Sequence, residues 1–150
     1  MAAAAEPTEI PMPYQHHVAC IDHDAGWSPD MALGIPLFDE AHQALAEQIA
    51  HLQARTDTDF EEGLQGLIEA LETDFRVEED LMEAIAYPDL KNHREQHARV
   101  LATLHSLRGG EMAKARHAVG LILPWFHLHL ATADTALALA LQVAGGAPPA

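Results

Sequence analysis

From Phe38 onward, apolar residues return every three or four positions along the chain. Phe38, Leu45, Ile49 and Leu52 form one such stripe, and the 3.6-residue period predicts a helix over it. A second stripe runs through Leu64, Leu67, Ile68, Leu71, Phe75, Leu81, Met82 and Ile85. It opens at Asp57–Thr58–Asp59, residue types that cap helices, with Glu61 and Glu62 in the first turn. Pro88 ends it, because a residue before proline avoids helical geometry. A third helix is expected from about Asp89 to Leu107, stopped by Gly109–Gly110, and a fourth from near Glu111 to about Val143. Pro36 suits a helix start, whereas Pro124 falls inside the fourth helix and is expected to bend it. No strand pattern competes. The pattern predicts an all-α, up-down-up-down four-helix bundle over residues 27–144, with an irregular N-terminal arm at 1–26 and a tail at 145–150.

The length of 150 residues fits one domain and one core. Hydrophobic residues make up 49%, with aromatics only 5%, a balance that favours a packed helical protein over a disordered one. The formal net charge of −15 repels nucleic acid phosphates and anionic lipid and attracts cations. Neither a nucleic acid nor a membrane partner is therefore expected. The stretch Met1–Glu6 has no positive n-region, and the most apolar window, Leu121–Ala140, is interrupted by Pro124, His127, His129 and Asp134. A cytoplasmic protein is expected. Cys20 is alone, so it can form neither an intrachain disulfide nor a cysteine zinc cluster.

Against this background the eleven histidines matter. His93 and His97 stand four residues apart, a spacing that stacks both imidazoles on one helical face. Asp74 and Glu78 share that spacing and lie on the stripe of Leu67, Leu71, Leu81 and Ile85, which points inward. Buried carboxylates are costly unless paired or bound to metal. Glu79 and Asp80, beside them, read as a solvated face. The fourth helix offers His129 and Asp134 among Trp125, Phe126, Leu130 and Leu137, although five residues is not a same-face spacing, so the two are expected to reach a site from different angles. His42 lies close to the inward stripe of the first helix. Four helices thus direct histidine or carboxylate toward one interior, as in bundles that hold two metal ions. Imidazole nitrogen with carboxylate oxygen suits iron, with manganese or zinc as lesser choices. His51, His105, His117 and His127 read as surface histidines, and His16, His17 and His23 lie in the arm.

These landmarks resemble the hemerythrins, in particular small bacterial hemerythrins, over roughly Gly26 to Ala140. The resemblance rests on Trp27, the stretch Gly34–Ile35 to Asp39–His42, Glu78–Glu79–Asp80–Leu81–Met82, Tyr87–Pro88, His93 with His97, and Trp125 with His129 and Asp134. It implies a non-heme di-iron centre that binds dioxygen for carriage, storage or sensing. In that scheme His93, His97 and His129 ligate one iron, Glu78 and Asp134 bridge both, and His42 binds the second. Phe75, Trp125, Phe126 and Leu130 would form an apolar wall around the oxygen pocket.

One position departs from the family pattern. Where the family carries His-x-x-x-Glu, this chain has Asp74-x-x-x-Glu78, and the change falls on the metal at which oxygen binds. Three outcomes are open: Asp74 ligates that metal, leaves it more open to exogenous ligands, or leaves it weakly bound. An added anionic ligand favours ferric iron, so a di-iron oxidase or peroxidase consuming oxygen or peroxide stands beside the oxygen-binding function, with an iron buffer as a third alternative.

Overall fold

The computed structural model describes residues 26–145; the arm before Gly26, with Cys20, His16, His17 and His23, and the final five residues lie outside them. A short 3-10 turn, Pro29–Met31, leads into helix α1 (Pro36–Ala54). Helices α2 (Asp57–Ala84), α3 (Leu90–Ser106) and α4 (Met112–His129) follow. A π-helical turn (Leu130–Asp134) then joins α4 to α5 (Thr135–Ala144). Because the backbone stays helical from α4 through α5, the two form one rod, and the chain is an antiparallel bundle of four. No helix among the described residues is long and apolar enough to cross a membrane.

The predicted helices are all present, with boundaries set by local chemistry. Pro36 is the first residue of α1. Just before it, the Asp39 carboxylate accepts from the backbone N–H groups of Leu33 (2.7 Å) and Gly34 (3.2 Å), folding the loop onto the helix start. The N-cap of α2 is Thr56, one residue earlier than the Asp57–Asp59 cluster, and it makes no side-chain cap bond. Gly109, with φ of +69°, turns the chain between α3 and α4, a conformation that costs glycine little. Pro124 is accommodated within α4 without ending it.

Two apolar clusters fill the interior. The larger contains Leu45, Ile49, Leu64, Leu67, Leu71, Phe75, Val100, Leu104, Ile122, Phe126 and Leu130. The smaller joins Phe38, Met82 and Leu137. Each fully buried large side chain stabilises the fold by about 1.5–3 kcal/mol. On α1, α2 and the α4–α5 rod, one polar level separates these clusters: His42 follows Phe38, Asp74 and Glu78 precede Met82, and Asp134 lies between Leu130 and Leu137. The candidate centre is thus a polar layer held between two dry ones.

Candidate metal centre

His42, Asp74, Glu78, His93, His97, His129 and Asp134, the polar residues placed inward by the sequence pattern, are all buried, with none more than 7% exposed. They converge as two overlapping groups. Glu78, His93, His97, His129 and Asp134 form one; His42, Asp74 and Glu78 form the other, and within each group the donor atoms lie within 4.8 Å of one another.

In the first group, His93 Nε2 is 3.1 Å from Asp134 Oδ1 and 3.4 Å from Glu78 Oε2. His97 Nε2 is 3.2 Å from Glu78 Oε2, and His129 Nε2 is 3.2 Å from Asp134 Oδ1. The Nε2 atoms of His97 and His129 are 3.2 Å apart. In the second, His42 Nε2 is 3.3 Å from Glu78 Oε1, 3.6 Å from Asp74 Oδ2 and 3.7 Å from Asp134 Oδ2. Glu78 and Asp134 therefore each turn one oxygen to the three-histidine group and the other to His42.

A cation fits this arrangement on two counts. Every buried side-chain polar atom lacking a hydrogen-bond partner among the described residues, apart from Gln65 Oε1 and the outer nitrogen His42 Nδ1, is turned toward the other members of the cluster: Asp74 Oδ2, Glu78 Oε2, His93 Nε2 and both Asp134 oxygens. Leaving such groups unpaired is expensive. The spacing also matches, since ligand atoms adjacent on one ion, at bond lengths of about 2.1 Å, stand about 3 Å apart.

Among known proteins, a bacteriohemerythrin of Ralstonia nicotianae is 31% identical to the chain over 112 residues, covering 72% of this chain and 82% of that protein. The chain belongs to the hemerythrin family. No protein-family model matches it.

The membership rests on a bundle whose helices supply the cluster in a defined way. On α2 and α3 the i, i+4 spacing places Asp74 with Glu78 and His93 with His97 on single faces, as their periodicity requires. The rod's pair is different, and here the structure corrects the sequence reading. His129 and Asp134, five residues apart, lie on the same face because Leu130–Asp134 is a π-helical turn, in which each turn takes up an extra residue. Thr135 supports it, its hydroxyl donating to the Leu130 carbonyl at 2.7 Å, and Thr132 donates to the Leu128 carbonyl at 2.7 Å. A π-turn of this kind inside a helix is frequent at functional sites.

Two residues that the sequence pattern left out hold the histidines. Glu79, assigned to a solvated face, is only 25% exposed and accepts at Oε1 from His97 Nδ1 at 3.2 Å. Gln96 Oε1 accepts from His129 Nδ1 at 2.9 Å. With the Nδ1 protons committed outward, the Nε2 lone pairs of His97 and His129 face one another, a repulsive contact that a cation relieves. Glu79 stood within the motif that carries the resemblance but had no role assigned to it, and Gln96 carried no signal beyond lying next to His97. Asp80 is exposed, as expected.

Aromatic rings pack against three of these histidines. Phe75 stacks on His97 with centroids 3.8 Å apart and planes within 4°. Trp125 stacks on His129 at 4.9 Å, and Phe126 meets His42 edge-on at 5.9 Å. Leu130 is buried in the larger cluster. Of the remaining histidines, His51, His105 and His117 are exposed. His127 is half-buried instead, donating from Nε2 to the Gly26 carbonyl at 2.8 Å.

Electrostatics follow from this crowding. Burial, and after it the neighbouring Glu78 carboxylate, push Asp74 up to about 7 against the pull of His42. Burial opposes the charged form of His93, yet Asp134 and Glu78 outweigh it and raise the imidazole to about 9. His42 is raised in the same way, burial being overcome by Glu78, Asp74 and Asp134. Burial also opposes charge on Glu78, but contacts with His42, His93 and His97 hold it well below the usual carboxylate range. The cluster is a site for protons when no metal is bound, and a site for metal when the protons leave.

Proposed function

We propose that the centre holds two iron ions and that the protein binds dioxygen at the second of them, in carriage, storage or sensing. The observation that carries this reading is the split of Glu78 and Asp134, one oxygen of each directed to either side of the cluster. In this assignment His93, His97 and His129 hold one ion, His42 and Asp74 hold the other, and the two bridging carboxylates hold both. Mixed imidazole and carboxylate donors support iron ahead of manganese or zinc. When bound, a di-iron pair supplies the electrons for reversible binding or for reduction of dioxygen.

The chain's own groups then decide which outcome prevails. Phe75, Trp125, Phe126 and Leu130 exclude water from the imidazoles, as lining of the oxygen pocket, which slows loss of electrons to solvent. Glu79 and Gln96 fix the orientation of His97 and His129. On the other side His42 Nδ1 is buried without a partner, and Asp74 adds negative charge. That asymmetry favours a second reading, a di-iron oxidase or peroxidase that consumes oxygen or peroxide.

Anaerobic reconstitution with ferrous iron, metal counting and exposure to oxygen separate the readings. Two irons per chain and a visible band that forms with oxygen and fades on its removal are expected for oxygen binding. Conversion to a stable ferric state with turnover of peroxide would establish the enzyme instead. One iron per chain would overturn both.

A further inference from the structure

Helices α1, α2 and α3 turn charge to the outside: Glu40 on α1, Glu62, Asp80 and Glu83 on α2, and Lys91 and Arg94 on α3 are all exposed. The α4–α5 rod does not. Between Ala118 and Gly145 the one Asp, Glu, Lys or Arg is Asp134, which is buried in the metal centre. Large apolar side chains stand out on this stretch instead: Leu121 (60% exposed), Leu128 (63%), Leu139 (55%) and Val143 (74%). The other exposed large apolar residues among the described ones, Leu37 and Val77, line a separate groove between α1 and α2. Thr132 and Thr135 are exposed on the rod too, but their hydroxyls already donate to the rod's own carbonyls at Leu128 and Leu130. The face thus needs no polar partner. Depletion of charge around protruding apolar residues marks the core of an interface rather than a solvated helix.

The spacing of the stripe identifies what covers it. Leu121, Trp125, Leu128, Thr132, Ala136, Leu139 and Val143 follow one another at steps of 4, 3, 4, 4, 3 and 4. The order of steps is the same from either end. An antiparallel second copy, related by a twofold axis at Thr132, therefore meets every position in register. Leu121 faces Val143, Trp125 faces Leu139, Leu128 faces Ala136, and Thr132 faces its own equivalent. Six steps along a coiled-coil seam take about 21 residues, at about 3.5 each. Here 143 − 121 is 22, and the π-helical turn Leu130–Asp134 takes up the extra residue. Beside the Leu139–Val143 end lies a hollow of about 410 Å³, walled by Ile85, Tyr87 and Pro88, with room for the partner's Leu121 and Trp125. Charge selects the same pairing. Two chains of net charge −15 repel, and rod against rod brings them together without setting like charges opposite one another. A lipid surface fits less well, because the stripe lacks the Lys and Arg that hold an interfacial helix on a membrane.

We propose that the α4–α5 rod is a homodimer seam, paired antiparallel with the rod of a second copy of this chain. The inference stands apart from the proposed function and holds whichever metal the centre takes. At a rise of about 1.5 Å per residue the seam is about 33 Å long. A single-helix strip of that length is small for a protein interface, so the dimer is transient, with a Kd of about 10–100 µM.

Sedimentation velocity of the full chain, from well below to well above that Kd, tests this. A reversible monomer–dimer equilibrium is expected, and added salt should lower the Kd at least about threefold by screening the like net charges. Leu128→Lys and, separately, Ala136→Glu should each raise the Kd at least about tenfold, since each buries unpaired charge in the seam. An equal mixture of the two variants should associate at least about fivefold more tightly than either alone, because in the mixed pair the new charges face each other. Monomer at every concentration would overturn the proposal, as would a dimer that salt weakens or that either single variant leaves intact. A mixture no better than its components would overturn the antiparallel register and the proposal with it. So would pelleting of the chain with phosphatidylcholine vesicles in place of self-association, since lipid would then cover the stripe.

Discussion

The two sides of the cluster are built to different standards. On one, three imidazoles meet Glu78 and Asp134 within 3.1–3.4 Å; two of them have outer nitrogens anchored by Glu79 and Gln96, and two lie flat against aromatic rings. On the other, His42 has no partner for Nδ1, its carboxylate neighbours stand 3.3–3.7 Å away, and Asp74 borders an open groove. Anchored ligands lose little freedom when an ion binds, and unanchored ones lose more. The difference teaches that one side of the cluster is preorganised for a cation and the other is adaptable, which is the arrangement the proposed two-ion site would need if only one metal were to exchange ligands.

The strongest way to break this comparison is to remove what both sides share. Glu78→Gln keeps the size but withdraws the shared anion, and metal content by mass spectrometry should fall from the proposed two ions per chain to fewer than one. His42→Ala touches one side alone, so one ion per chain should remain. If both ions disappear, the halves are a single cooperative unit and the contrast drawn above is wrong. Gln96→Leu sharpens the preorganised side: losing the anchor of His129 should weaken one ion by about 10- to 100-fold, read by competition with a chelator, while the His42 side changes little. Asp74→His supplies the adaptable side with a neutral ligand and should lengthen the lifetime of the oxygen-dependent visible band several-fold; an unchanged lifetime would remove Asp74 from any role in oxidation.

The smallest effect concerns the metal-free chain. Asp74 and His93 both bind protons more tightly when folded, at about 7 against 3.8 and at about 9 against 6.5. The stability from Asp74 is complete below about 4 and lost as pH rises through about 7; that from His93 is complete below about 6.5 and lost through about 9. The melting temperature of the metal-free chain should therefore fall by a few degrees between pH 6 and 9. The loaded chain, whose ligands are already deprotonated, should not follow it.

Much of this was legible in the chain itself. The apolar stripes, Pro36, Pro88 and Gly109 determined four helices, and i, i+4 spacing determined that Asp74 pairs with Glu78 and His93 with His97. These are local consequences of a 3.6-residue period and need no partner. The same logic misplaced Asp134 relative to His129, because a π-turn is stable only where surrounding packing and the Thr135 hydroxyl accommodate the extra residue. It left Glu79 on a solvated face, because which acid meets His97 depends on how α2 and α3 align. The groove beside Asp74 was equally hidden: alanines at 41, 44 and 70 look like helix formers until two helices bring them together. Angular position within a regular α-helix is written in the sequence; the π-turn, and the register and distance between helices, arise only when the bundle packs.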